Sequence, residues 1–140
     1  MLIVDDDPDI RELMAGGLDQ MGFEVHTKSD GEAGLTAARD VVPDVVVLDW
    51  SMPKLSGLEV CAQIRANSDL KRVGVIVISG NGGPADSQEV FAAGADDYMV
   101  KPFCLRELVT RVESLLARRG TSTSADARDR ALFALSTQRR

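Results

Sequence analysis

The chain has 140 residues, of which 44% are hydrophobic and 27% are charged, and this balance is typical of one soluble globular domain. Its formal net charge of -6 argues against a surface that binds nucleic acid. No apolar run approaches the roughly 20 residues needed to cross a bilayer, and three aspartates stand where an export signal would need basic residues. We therefore expect a cytoplasmic chain that binds neither nucleic acid nor a membrane.

Five short runs of the sequence are rich in β-branched residues. Their length and their continuous apolar character predict the buried strands of a parallel sheet. In chain order, the predicted strands are Leu2–Val4, Phe23–Thr27, Val45–Leu48, Val73–Ile78 and Tyr98–Val100.

The stretches between these strands predict helices. Asp7 followed by Pro8 is typical of an N-cap and a first helical turn, and less regular helices are expected near 31–40, 58–67 and 85–93. The alternation predicts an α/β fold of the (βα)5 type, in which helices cover both faces of the sheet. The clearest apolar stripes are Ile10, Leu13, Met14, Gly17, Leu18 and Met21 in the first helix and Leu105, Leu108, Val109, Val112, Leu115 and Leu116 in the last.

The sequence changes character at Gly120. Thr and Ser residues at 121–124 are typical of a linker, and the segment that follows has too few large apolar residues to form a core. We expect residues 1–119 to form one domain and residues 120–140 to be a linker or tail, of the kind that leads to a separate output domain.

Polar residues follow four of the predicted strands. Asp5 and Asp6 follow the first strand, Asp49 the third, Ser79 the fourth and Lys101 the fifth. The carboxyl ends of parallel strands form the ligand-binding edge of an open α/β sheet, so three carboxylates are expected to converge there. Their mutual repulsion favours a divalent cation, and a set of oxygen ligands indicates Mg²⁺ or Mn²⁺.

Each of these residues alone has an ordinary explanation. An Asp after a strand is usually a turn residue or a helix N-cap, and Asp7 is expected to be one. A single Lys101 is most often a solvated charge, and a single Ser79 a loop hydroxyl. Their joint placement favours a pocket in which an ammonium, a hydroxyl and a metal surround a carboxylate that accepts a phosphoryl group.

Four stretches of the chain resemble the receiver domains of two-component response regulators, and the resemblance extends over residues 1–119. It implies a flavodoxin-like, doubly wound sheet of five parallel strands in the order 2-1-3-4-5. It also implies a switch that is phosphorylated on Asp49 by a sensor histidine kinase or a phosphotransfer protein, and that is not otherwise an enzyme. The stretches are LIVDDDP at 2–8, LDWSMP at 48–53 with Gly57, ISG at 78–80, and GADDYMVKPF at 94–103.

The resemblance also implies a set of metal ligands. Asp6 and Asp49 would bind Mg²⁺ directly, while Asp5 would help to hold the ion, partly through water. Ser51 would contribute its backbone carbonyl oxygen.

Further residues would respond to phosphorylation. Lys101, preceding a cis bond to Pro102, would pair with the phosphoryl group. Ser79 would move to meet it, and Tyr98 would turn inward in step; for Tyr98, a purely structural role at the sheet edge is an equal alternative.

The resemblance further implies a face for self-association, formed by the fourth helix, the fifth strand and the fifth helix. A homodimer through this face is a hypothesis, because the fourth helix lacks the basic residue expected of the receivers that dimerise there. The residues available for ion pairs on this face are Asp96, Asp97, Arg106, Arg111 and Arg118.

Two other functions remain open. A receiver-like module that binds partners without phosphorylation would keep the same fold. A phosphohydrolase of the haloacid-dehalogenase type would also use Asp49, but it would need a second Asp at the position that Ser51 occupies.

Overall fold

The computed structural model describes residues 1–80 and 84–119, so the predicted linker or tail at 120–140 lies outside the described residues. Strands and helices alternate along the described chain, as predicted, with one 3₁₀ turn at Ser68–Leu70. The strands are β1 (Leu2–Val4), β2 (His26–Lys28), β3 (Val45–Asp49), β4 (Gly74–Ser79) and β5 (Asp97–Val100). The helices are α1 (Pro8–Gln20), α2 (Gly31–Val41), α3 (Gly57–Ala66), α4 (Pro84–Ala92) and α5 (Leu105–Arg119).

All strand pairs in the sheet are parallel, and the strand order is β2-β1-β3-β4-β5. The predicted α/β, doubly wound fold and its strand order are therefore confirmed. In the register of the sheet, Val4 lies beside Leu48 of β3, and Ser79 lies beside Val100 of β5. The residues that follow β1, β3, β4 and β5 consequently emerge at one edge.

Two hydrophobic clusters cover the two faces of the sheet, because successive strand side chains point in opposite directions. One cluster joins Val4, Val46 and Val77 to side chains of α2 and α3. The other joins Ile3, Val47 and Ile76 to side chains of α1 and α5. Continuous burial along β3 and β4 explains why these strands are apolar at every position.

The position of β2 differs from the sequence prediction. The amide of Phe23 donates a hydrogen bond to the carbonyl of Leu18, and Gly22 has a positive φ of 95°. These residues form the C-terminal cap of α1, so Phe23 packs in the core without joining the sheet. The strand therefore begins three residues later than predicted, at His26.

Leu13 is a second departure from the predicted pattern. It was predicted to belong to the apolar stripe of α1, but it is 53% exposed. Across residues 1–80 and 84–119, no helix is both long enough and apolar enough to cross a membrane.

Candidate metal and phosphoryl-transfer site

The edge formed by the carboxyl ends of the strands carries an open, polar cleft. Asp5 lies beside this cleft, with its carboxylate next to those of Asp6 and Asp49. Tyr98 is half-buried on β5 and packs against the cluster on the α2 and α3 face. The residues that line the cleft are Asp6, Asp7, Asp49, Trp50, Ser51, Ser79, Gly80, Asp86 and Lys101.

Three carboxylates lie close together at this edge. Asp5, Asp6 and Asp49 each offer an oxygen atom, and these atoms lie within 4.8 Å of one another. Asp5 and Asp49 are buried, whereas Asp6 is exposed. One oxygen of Asp5, Oδ1, accepts the amide hydrogen of Asp7 at 2.9 Å, but the buried Oδ2 has no hydrogen-bond partner.

Lys101 is the cation that faces these acids. Its Nζ atom lies 3.3 Å from Asp49 Oδ1 and 3.5 Å from Asp5 Oδ2. Burial acts to lower the pKa of Lys101, but the charges of Asp5 and Asp49 raise it above its usual value. The ammonium group therefore stays protonated at neutral pH.

The pKa of Asp49 shows that one ammonium does not balance this cluster. Burial and, after it, the charge of Asp5 raise this pKa from 3.8 to about 7, although Lys101 acts to lower it. Asp5 Oδ2, which lies 3.5 Å from Lys101 Nζ, also accepts no hydrogen bond. A buried, oxygen-rich site with excess negative charge fits a hard divalent cation such as Mg²⁺ or Mn²⁺.

The loop after Asp49 is held by the start of α3. Ser56 caps this helix through a reciprocal pair of hydrogen bonds with Glu59. The amide of Gly57 donates to the carbonyl of Trp50 at 2.9 Å. A Cβ atom on Gly57 would clash with the carbonyl oxygen of Asp49. Glycine at this position thus lets the helix approach the backbone that carries the central acid.

Ser79 and Lys101 are joined through the backbone. Ser79 ends β4, is 4% exposed and lines the cleft. Its carbonyl accepts the amide hydrogen of Lys101 at 2.7 Å. The bond between Lys101 and Pro102 is cis, as predicted. The hydroxyl-bearing residue and the cation therefore enter the cleft side by side.

Charged residues on β5 and α5 form ion pairs within the chain. Arg111 lies 2.6 Å from Asp97 and 3.4 Å from Glu107. Asp96, which was considered for the same face, lies 2.6 Å from Arg65 of α3. Residue spacing does not predict this partner, since the two residues are far apart along the chain.

Two residues near the cleft were missed by the sequence analysis. Asp86 lines the cleft from the first turn of α4, and its only sequence signal is the common preference for acids at helix starts. Arg11 of α1 donates a hydrogen bond from Nη1 to the backbone carbonyl of Asp5 at 2.8 Å. Residue spacing does not predict this contact, because the contact depends on how the loop before α1 folds back.

The sequence of this chain is similar to those of known response regulators. Residues 1–113 match the family model described as response regulator receiver domain. The chain is 43% identical over 127 residues to the transcriptional regulatory protein PrrA of Mycobacterium tuberculosis, which covers 91% of this chain and 54% of that protein. The chain thus spans about half the length of the curated relatives it matches.

Solved structures agree with the sequence comparison. The chemotaxis protein CheY4 of Vibrio cholerae is similar with a TM-score of 0.77 and 32% identity, covering 81% of this chain and 95% of that one. The receiver domain of the Francisella response regulator 1452 is similar with a TM-score of 0.79 and 31% identity, covering 84% of this chain and 95% of that one.

Proposed function

This chain belongs to the family of response regulator receiver domains, and on that basis we propose that Asp49 accepts a phosphoryl group from a sensor histidine kinase or a phosphotransfer protein. Receiver domains are the phosphorylation-activated switches of two-component signalling. The observation that carries the proposal is the position of Asp49. It is buried at the end of β3, within reach of two further carboxylates and 3.3 Å from the ammonium group of Lys101.

A divalent cation is part of the proposal. Asp5, Asp6, Asp49 and the backbone carbonyl of Ser51 would hold Mg²⁺, with Mn²⁺ as a substitute. The buried Oδ2 of Asp5, which accepts no hydrogen bond, and the raised pKa of Asp49 support this assignment. When bound, the cation would neutralise charge on the oxygens of the phosphoryl group during transfer.

The protein's side chains have separate roles in the proposed step. A carboxylate oxygen of Asp49 attacks the phosphorus atom, and a new O–P bond forms. The N–P bond to the donor imidazole breaks, and the imidazole keeps the electron pair. Lys101 and the Ser79 hydroxyl stabilise the phosphoryl oxygens from the cleft, and the movement of Ser79 is coupled to that of Tyr98.

The resulting acyl phosphate adds negative charge to the cleft. This charge changes the relative populations of the conformations of the face formed by α4, β5 and α5. We expect no catalysis beyond phosphorylation and dephosphorylation of the chain itself. Residues 1–119 would act as the receiver domain, in the cytoplasm, and residues 120–140 would form a linker or C-terminal tail. Phosphorylation would favour a homodimer through the α4, β5 and α5 face.

The proposal is tested by intact-mass spectrometry after incubation with acetyl phosphate and Mg²⁺. The wild type should gain one phosphoryl group, and the gain should disappear when EDTA replaces Mg²⁺. Asp49→Asn should gain none, while Asp40→Asn, which removes an exposed acid of α2, should behave as the wild type. A wild type that neither binds Mg²⁺ nor gains mass would instead indicate an interaction module that works without phosphorylation.

A further inference from the structure

Arg11 links α1 to the end of β1. It follows the N-cap residue Asp7 by one turn, and its amide donates to the Asp7 carbonyl at 3.0 Å. Helical side chains point back toward the helix N-terminus, and the guanidinium of Arg11 does so here. Its Nη1 atom donates to the backbone carbonyl of Asp5 at 2.8 Å, across six residues. The contact is partly buried, and the acceptor is a carbonyl oxygen rather than a carboxylate.

With this contact, the amide, the side chain and the carbonyl of Asp5 are all held by hydrogen bonds. The amide of Asp5 donates to the carbonyl of Lys28 in β2 at 3.2 Å, and its Oδ1 accepts from the amide of Asp7 at 2.9 Å. The carbonyl of Asp5 is held by Arg11. Because a peptide unit is planar, fixing this carbonyl also fixes the orientation of the Asp6 amide and the position of the Asp6 Cα atom, from which the side chain leaves.

We propose that Arg11 is a positioning residue for the metal site, holding the peptide between Asp5 and Asp6 so that the exposed carboxylate of Asp6 faces Asp49. The inference rests on the proposed function, since it concerns the cation of that same cleft. Lys101 contacts the carboxylates directly and supplies compensating charge, whereas Arg11 contacts the backbone and supplies orientation. Without Arg11, the cation must order this loop as it binds, and the cost weakens binding.

The affinity for Mg²⁺ gives the direct test. Trp50 is the only tryptophan of the chain, and it lines the cleft beside Asp49, so its fluorescence provides a signal for a Mg²⁺ titration of the full chain. Arg11→Met, which keeps the aliphatic stem and removes the donors, should bind Mg²⁺ about 10-fold more weakly, since residues that orient metal ligands typically contribute this much. Arg11→Lys should recover part of the affinity.

A matched control separates the loss of orientation at the metal site from the loss of one positive charge. Arg39→Met also removes one positive charge from an exposed helix position, but it lies on α2 and does not line the cleft. It should bind Mg²⁺ as the wild type does. Melting temperatures in EDTA measure the structural contribution of each side chain independently of the metal.

Phosphorylation by acetyl phosphate supplies a second readout. Arg11→Met should need about 10-fold more Mg²⁺ for half of its maximal rate, with a rate at saturating Mg²⁺ close to that of the wild type. A residue that only supports the fold would lower the melting temperature and leave the Mg²⁺ dependence unchanged.

Two results would overturn the inference in distinguishable ways. If the wild type and Arg11→Met bind Mg²⁺ equally well, Arg11 does not position the site, and the phosphoacceptor proposal stands. If the wild type itself binds no Mg²⁺, the metal site is wrong and the role of Arg11 is rejected with it.

Discussion

The side chain of Asp49 lies beside two other carboxylates and one ammonium group, and most of it is removed from solvent. Burial and the charge of Asp5 both favour the protonated form, so that its pKa is raised to about 7. In the unfolded chain, the same group would have its ordinary pKa of 3.8. In the metal-free protein, the ionised form of Asp49 is therefore less stable than it is in the unfolded chain. A cation, or a phosphoryl group with its cation, would offset the charge repulsion and the loss of solvation.

Asp49→Asn should stabilise the metal-free protein. A carboxyl group whose pKa is higher in the folded state opposes folding once it is ionised, so its penalty grows as the pH rises from about 4 to 7 and is complete above 7. A difference of one between the folded and unfolded pKa corresponds to about 1.4 kcal/mol, so the gain in unfolding free energy at pH 8 should be on the order of 2–4 kcal/mol.

Urea unfolding in EDTA at pH 8 and pH 5 measures this gain, which should be smaller at the lower pH. Asp40→Asn serves as the control, and it should change stability by less than about 0.5 kcal/mol. Added Mg²⁺ should stabilise the wild type more than Asp49→Asn. A variant no more stable than the wild type at pH 8 would show that the carboxylates do not repel one another as described.

Among the secondary-structure elements, Arg65 connects α3 to the sheet at the edge opposite the cleft. Its guanidinium donates to the carbonyls of Val73 and Gly94, both at 2.7 Å, and to Asp96 Oδ2 at 2.6 Å. The same oxygen of Asp96 accepts the amide hydrogen of Val75 at 2.9 Å. One side chain thus fixes the starts of β4 and β5, whose far ends carry Ser79 and Lys101.

Arg65→Met should lower the unfolding free energy by roughly 2–4 kcal/mol, because two backbone carbonyls and the carboxylate of Asp96 lose the hydrogen bonds that the guanidinium donates. Asp96→Asn should cost less, roughly 1–2 kcal/mol, because the side-chain oxygen can still accept from Val75. Chemical denaturation at neutral pH measures both values, with the exposed Arg39→Met as the control. Equal stability of Arg65→Met and Arg39→Met would be incompatible with this connecting role.

Structural features that arise from residues close together along the chain are predictable from the sequence, whereas contacts between distant residues are not. Buried strands such as β3 are apolar along their whole length, so their positions were predicted to within one residue. The predicted start of β2 was wrong, because the amide of Phe23 donates its hydrogen bond to Leu18 in the C-terminal cap of α1. The contacts of Arg11 and Arg65 were not predicted, since they end on backbone carbonyls brought close only by the tertiary fold.

At the scale of the whole molecule, two large apolar side chains are exposed on elements of the face proposed for dimerisation. Phe91 of α4 is 49% exposed, and Val100 of β5 is 38% exposed. Both residues belong to elements of this face, and contiguous exposed apolar patches are typical of sites of protein association. Arg111 and Asp97 already pair within one chain beside this surface, so association would have to use or rearrange that pair.

Beryllofluoride with Mg²⁺, which imitates the phosphorylated state, should shift the chain to a dimer in gel filtration. Phe91→Ser should weaken the dimer by removing apolar area from the interface. Leu13→Ser, at a position of α1 that is 53% exposed and outside the α4, β5 and α5 face, should leave it intact. Elution of the activated wild type as a monomer would count against the dimer hypothesis.

The most direct test of the central claim is to locate the acyl phosphate within the chain. After reaction with acetyl phosphate and Mg²⁺, borohydride reduces an aspartyl phosphate to homoserine, whereas a phosphoserine is left unchanged. Peptide mass mapping should find homoserine at position 49 and at no other acid of the cleft. Homoserine at position 5 or 6, or phosphate retained on Ser79, would contradict the assignment of Asp49 as the acceptor.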